Sequence, residues 1–138
     1  MKLLRVGPWG KEKVCALDNQ NKIRDLSSHV NDLNPGTLTL SNLTSWAKID
    51  LEKLPEINNN LRIGSCINKP SNILCIGLNY SLHAKQTRSK LPKYPIVFNK
   101  SPDCLQGPYD PIKKRKTQEK LDYEVELALV IGKEAKNV

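Results

Sequence analysis

The sequence predicts an α+β fold that is mostly β, and three observations point to it. Short apolar runs recur along the chain and are separated by Gly, Pro, Asn and Asp, as is typical of strands joined by turns. Apolar residues at helical spacing stand out only after Thr39. A length of 138 residues suffices for one ordinary domain, or for one small domain and part of another.

The N-terminal part is predicted to be a small antiparallel β-meander. A Gly-Pro-Trp-Gly turn and an Asp-Asn turn divide its apolar residues into three short runs. We expect strands at Lys2–Val6, Val14–Leu17 and Lys22–Leu26.

A helix and a linker are expected next. Thr39 can cap a helix that ends near Asp50, and a run of three asparagines from Asn58 then marks a linker. The sequence therefore predicts a small N-terminal domain at 1–65 and a second domain at 66–138.

The second domain is predicted to contain three strands, at Ile73–Leu78, Tyr94–Phe98 and Leu121–Ile131. In the last of these, alternate residues from Tyr123 to Ile131 place apolar side chains on one face, which is the pattern of a half-buried strand. The apolar positions of these strands form the expected core: Ile73, Leu74, Ile76, Leu78, Ile96, Phe98, Val125, Leu127, Leu129 and Ile131.

The net charge and the N-terminal sequence are weaker indicators of partners and localisation. The net charge is +8, but 17 of the 22 basic residues are lysines spread along the whole chain, which favours background composition over nucleic-acid binding. The basic run Lys113–Lys116 has no interleaved aromatic residue, so a solvated loop is the better interpretation. With no secretory signal and no membrane-length apolar run, we expect a cytoplasmic protein that does not bind membranes.

Two glutamates and a histidine are the candidate site residues. Glu124 and Glu126 would project side by side from the last predicted strand, and paired carboxylates suit Mg²⁺, Mn²⁺ or Ca²⁺. A solvated sheet face is the competing interpretation. His83 follows an apolar strand and is placed to act as a general base, although most lone histidines in such places are exposed loop residues.

Four segments together resemble the fumarylacetoacetate hydrolase family. They are CIGLNYSLHAKQ from Cys75, PIVFNK from Pro95, GPYDPI from Gly107 and DYEVELALVIGK from Asp122. The opening KLLRVGPWGKEK, with IRDLS from Ile23, is similar to the N-terminal domain of a bacterial branch that includes diketo-sugar-acid hydrolases and ureidoglycolate lyase-like proteins.

The resemblance implies that 66–138 is the first part of a mixed β-barrel or β-roll catalytic domain, usually dimeric, that cleaves a carbon–carbon bond in a 2-oxo or β-dicarbonyl acid. It implies that Glu124 and Glu126 are metal ligands, with a third carboxylate from a later segment, and that His83 belongs to a water-activating dyad. Gln86 stands where many members have the dyad glutamate, and Lys100 is a candidate substrate-binding residue.

Three alternatives remain open at this stage. The chain is expected to be C-terminally truncated relative to the family, so an active enzyme would need a complementing C-terminal fragment. A non-catalytic remnant of such an enzyme is the second alternative. A basic nucleic-acid-binding module is the third.

Overall fold

The computed structural model describes residues 1–138, which form a small, mostly β structure with few helices. The chain divides into two compact units. The first comprises residues 1–68 together with 106–138, and the second comprises residues 69–105. No helix has the length and apolar character needed to cross a membrane.

The first unit is built on a four-stranded antiparallel sheet. Its strands are β1 (Lys2–Val6), β2 (Lys13–Leu17), β3 (Ile23–Asp25) and β4 (Glu56–Ile57), hydrogen-bonded in that order. The three strands predicted from the turn signals are therefore present, with small differences at their ends. The fourth strand is only two residues long and lies directly before the asparagine run that was predicted to mark a linker.

Both faces of this sheet are covered, because three successive residues of β2, Val14, Cys15 and Ala16, are completely buried. Since side chains alternate between faces along a strand, these residues contribute to two different apolar clusters. One cluster contains Val14, Ala16, Leu26, Val30, Leu33 and Trp46. The other contains Val6, Cys15 and Ile23.

Helix α1 (Leu40–Trp46) confirms the helix predicted after Thr39. The Thr39 hydroxyl caps it by accepting a hydrogen bond from the Asn42 amide at 3.2 Å. Trp46 is buried in the first apolar cluster, so the last turn of the helix attaches it to the sheet. A 3-10 helix, Leu51–Lys53, follows and is capped by Asp50.

The second unit contains a two-stranded hairpin and a short helix. Strand β5 (Ile73–Gly77) pairs antiparallel with β6 (Ile96–Lys100), and α2 (Ser81–Gln86) lies between them in sequence. Strand β6 begins two residues later than predicted. Pro95 explains the shift, because it has no amide hydrogen to donate to a ladder and is favoured only at strand edges.

The prediction of a strand at Leu121–Ile131 is wrong for this structure, which has neither helix nor strand there. Its alternating apolar residues are largely exposed, for example Val125 at 85% and Leu129 at 80%. The predicted core is also wrong, since Leu74, Ile76, Ile96 and Phe98 of the hairpin are all exposed. Period-two alternation becomes a buried strand only when a neighbouring strand pairs with it and a second layer covers it, and two-stranded hairpins alone are marginal.

Candidate functional site

His83 and Gln86 lie on the same short helix, α2, three residues apart. Residues at this spacing are neighbours on a helix surface, so the structure places the two predicted dyad positions one turn from each other. Both side chains are exposed, whereas Ala84 between them is buried.

A sharp turn positions this helix directly after β5. The strand ends at Gly77, and Leu78 then takes a left-handed conformation with φ of 51°. Such a conformation is uncommon for a residue with a side chain and is typical of tight turns and functional segments. The prediction that His83 follows the end of a strand is confirmed, and the residue lies on the short helix that comes after it.

Glu124 and Glu126 lie in the part of the first unit that has no regular secondary structure, and both are exposed. The Asp122 carboxylate nearby accepts a hydrogen bond from the amide of Tyr123 at 2.8 Å. His83 belongs to the other compact unit, so the predicted proximity of the glutamates to the histidine stays a prediction.

The carboxylates of Glu124 and Glu126 are suitable ligands for a hard cation. Carboxylate oxygens are the ligands that Mg²⁺ and Mn²⁺ prefer. No group of three or more His, Cys, Asp or Glu side chains is arranged to hold a metal ion. The assignment of Glu124 and Glu126 as metal ligands therefore stays a prediction.

Lys100 is the last residue of β6, where it is exposed and lies opposite Ile73 in the ladder. The strand fixes its backbone, while the ammonium group extends into solvent. The substrate-binding role that the resemblance implies for Lys100 stays a prediction.

The sequence did not predict a cluster of buried charges in the first unit. Glu12 is nearly inaccessible, yet its carboxylate pairs with Arg62 at 2.7 Å and with Arg5 at 3.3 Å. Burial raises the pKa of Glu12, but the hydrogen bond from Arg62 and the charges of both arginines outweigh it and leave the pKa below its usual value. The partners are far apart in sequence, so no local motif could have revealed the cluster.

Asp110 extends the same cluster. Its carboxylate accepts hydrogen bonds from Arg62 at 2.6 and 2.8 Å and from the amide of Gly107 at 2.7 Å. The hydrogen bonds from Arg62 are the main cause of the lowered pKa of Asp110, and Arg62 in turn has a raised pKa. The GPYD segment, which the sequence analysis used only for the family resemblance, is therefore fixed to the N-terminal sheet.

Comparison with known proteins shows what the chain is similar to. The model for the fumarylacetoacetate (FAA) hydrolase C-terminal domain matches residues 72–138. Proteins from Burkholderia ambifaria and Burkholderia lata, both named "Putative hydrolase", are 44% identical to the chain over all 138 of its residues, and one from Burkholderia multivorans is 43% identical. The chain spans 49% of the length of these relatives.

The matched segment contains every candidate site residue, from His83 to Glu126. The resemblance to the fumarylacetoacetate hydrolase family that the four sequence segments indicated is therefore supported by the match over residues 72–138.

Proposed function

We propose that this chain contributes part of the active site of a divalent-metal-dependent hydrolase or lyase that cleaves a carbon–carbon bond in a 2-oxo or β-dicarbonyl acid. Glu124 and Glu126 would be metal ligands, His83 the general base and Lys100 a contact to the substrate carboxylate. Residues beyond these 138 would complete the β-barrel or β-roll and would supply the third metal ligand.

The observation that carries the proposal is that one family match, over residues 72–138, includes all of these positions. The placement of His83 and Gln86 on a single helical turn supports it, because a dyad needs its two members within hydrogen-bonding reach. Hydrogen bonding by Gln86 can orient the imidazole, but a neutral amide cannot stabilise an imidazolium by charge.

Metal binding by the chain alone should be weak. A hard cation keeps several waters when few protein oxygens are available, so two carboxylates should bind Mg²⁺ or Mn²⁺ with a Kd of about 1 mM. The chain alone should show no turnover of an acylpyruvate or oxaloacetate above the rate with free Mn²⁺, because the remaining ligand and most substrate contacts are missing.

The experiment compares the chain alone with a fusion to the remaining part of the Burkholderia ambifaria relative. We expect Mn²⁺-dependent turnover of acylpyruvates only in the fusion, and its loss in Glu124→Ala and Glu126→Ala. Glu119→Ala, an exposed glutamate of the same segment, is the matched control and should leave turnover unchanged. Turnover that survives both Glu124→Ala and Glu126→Ala would exclude them as metal ligands.

A non-catalytic role is the second candidate, and Gln86 is the observation that favours it. If the family's dyad requires a carboxylate, this chain could bind metal and substrate without turnover. In that case the fusion should be inactive, and Gln86→Glu in the fusion should create activity. A fusion that is already active with Gln86 would rule out this candidate.

A further inference from the structure

Five charged side chains of alternating sign form a continuous series in the first unit. Asp32 Oδ1 accepts a hydrogen bond from Arg5 Nε at 2.6 Å, and Arg5 Nη2 contacts Glu12 Oε2 at 3.3 Å. Glu12 Oε1 then contacts Arg62 Nη1 at 2.7 Å, and Arg62 Nη2 contacts Asp110 Oδ2 at 2.6 Å. The central carboxylate thus bridges two arginines, each of which also holds an aspartate.

The middle of the series is well shielded from water. The side chains of Arg5 and Glu12 are only 7% and 5% exposed, and Arg62 is 25% exposed. Removing charges from water is costly, so a buried ion pair adds little net stability, whereas removing one partner leaves the other charge uncompensated. The planar guanidinium groups bind carboxylates in a directional way, which fixes geometry.

The two ends of the series lie where the chain leaves the first unit and where it returns. Residues 69–105 form the second unit, so the chain leaves after Asn68 and returns at Gln106. At the exit, Asn68 donates from Nδ2 to Asp32 at 2.6 Å and from its amide to the Leu33 carbonyl at 2.7 Å. At the return, Asp110 accepts from the Gly107 amide at 2.7 Å.

The backbone next to the series is also tightly constrained. The Gly7 amide donates to the Arg62 carbonyl, and the Gly64 amide donates to the Arg5 carbonyl, both at 2.8 Å, which aligns the two arginines on neighbouring segments. A Cβ at Gly107 would overlap with the carbonyl oxygen of Ile63. The returning chain therefore passes in direct contact with the residue that follows Arg62.

We propose that these five side chains form a clamp that holds together the two ends of the 69–105 segment, and that Glu12 is its central positioning residue. The clamp rests on the proposed function only in that His83, which this segment carries, would be the catalytic base. Because each arginine contacts two carboxylates, a change at one end of the clamp should be transmitted to the other.

Hydrogen exchange at two amides of the chain tests this transmission: Asn68, bonded to Leu33, and Gly107, bonded to Asp110. Asp110→Asn should speed exchange at the distant Asn68 amide, and Asp32→Asn should speed it at Gly107, each by about tenfold. Glu12→Gln should affect both. Amides of the buried strand β2 should keep their protection, which separates loss of the clamp from global unfolding.

Asp103→Asn is the matched control, since this exposed aspartate lies in the other unit and should leave both amides unchanged. If Asp110→Asn and Asp32→Asn each affect only their own end, the proposal is overturned, and this comparison holds even if Glu12→Gln does not fold. No metal or substrate is used, so absence of Mn²⁺ binding would count against the proposed function and not against the clamp.

Discussion

At the scale of residues, the chain combines contacts between near neighbours in sequence with contacts between residues that are far apart. The Thr39 cap and the turn at Asp18 depend on neighbours within a few positions, and both were evident from the sequence. Glu12, Arg62 and Asp110 meet only after folding, because 48 residues separate the last two. Nothing in the residue pattern distinguishes these charges from the many that face solvent.

The close approach at Gly107 gives a prediction about stability. Gly107→Ala should lower the free energy of unfolding by about 1–3 kcal/mol, because the new methyl group must displace the returning chain from the Ile63 carbonyl. Gly36→Ala is the control, since its methyl group would meet only a side-chain oxygen, that of Asn34, at 3.3 Å. Urea unfolding followed by circular dichroism measures both. Equal effects of the two substitutions would contradict the structure at Gly107.

The cysteines provide a second test at this scale. Cys15 is fully buried in β2, and burial raises the pKa of its thiol to about 11, whereas Cys66 and Cys104 are exposed. Because the thiolate is the reactive form, a disulfide reagent at pH 8 should label Cys66 and Cys104 quickly and Cys15 only after unfolding. Mass spectrometry of the labelled peptides decides this. Rapid labelling of Cys15 in the folded chain would show that the sheet opens readily.

At the scale of elements, the sequence correctly predicted the strands and the helix that are defined by turns and caps. It failed for the strand whose formation depends on pairing with another strand. The strands of the N-terminal sheet are short, are bounded by turns and pair with their sequence neighbours. Leu121–Ile131 has the clearest alternation in the chain, yet no paired strand of the structure includes it. Alternation specifies which face would be buried, but it cannot supply the neighbouring strand or the covering layer.

The cap of α1 allows a direct test of an element that was predicted correctly. Thr39→Ala removes the acceptor for the Asn42 amide and should lower the free energy of unfolding by about 1 kcal/mol. Ser41→Ala is the comparison, because the Ser41 hydroxyl contacts only the Thr39 hydroxyl in this cap. Thermal unfolding of both variants gives the result. A larger effect of Ser41→Ala would mean that the helix begins elsewhere.

At the scale of the whole molecule, buried and exposed apolar residues are unevenly distributed along the chain. Nearly all completely buried apolar side chains lie in the N-terminal part, whereas the family match covers the part that is mostly exposed. The candidate site residues thus lie in the part of the chain that is mostly exposed. This is why the sequence could identify the family and the candidate residues while the arrangement of the glutamates around the histidine stays a prediction.

The ionic clamp and its neighbours should make the stability of the whole chain sensitive to acid. Glu12, Asp18, Asp25, Asp32 and Asp110 all have pKa values below their ordinary values in the folded state, mainly through hydrogen bonds and ion pairs that outweigh burial where it opposes them. A carboxyl group whose folded pKa is depressed stabilises the fold fully above its unfolded pKa. That contribution is lost as the pH falls through the folded pKa.

The unfolded values are near 4.5 for Glu12 and 3.8 for Asp110, so the stability should be constant around neutral pH and decline below about pH 4. Urea unfolding between pH 7 and pH 2.5 measures the decline. Glu12→Gln and Asp110→Asn should be less stable than the parent at pH 7 but should lose less on acidification, since each removes one of the linked protonation sites. The exposed Asp103→Asn should follow the parent curve. If the two clamp variants show the same acid dependence as the parent, the ion pairs do not control the response of the fold to acid.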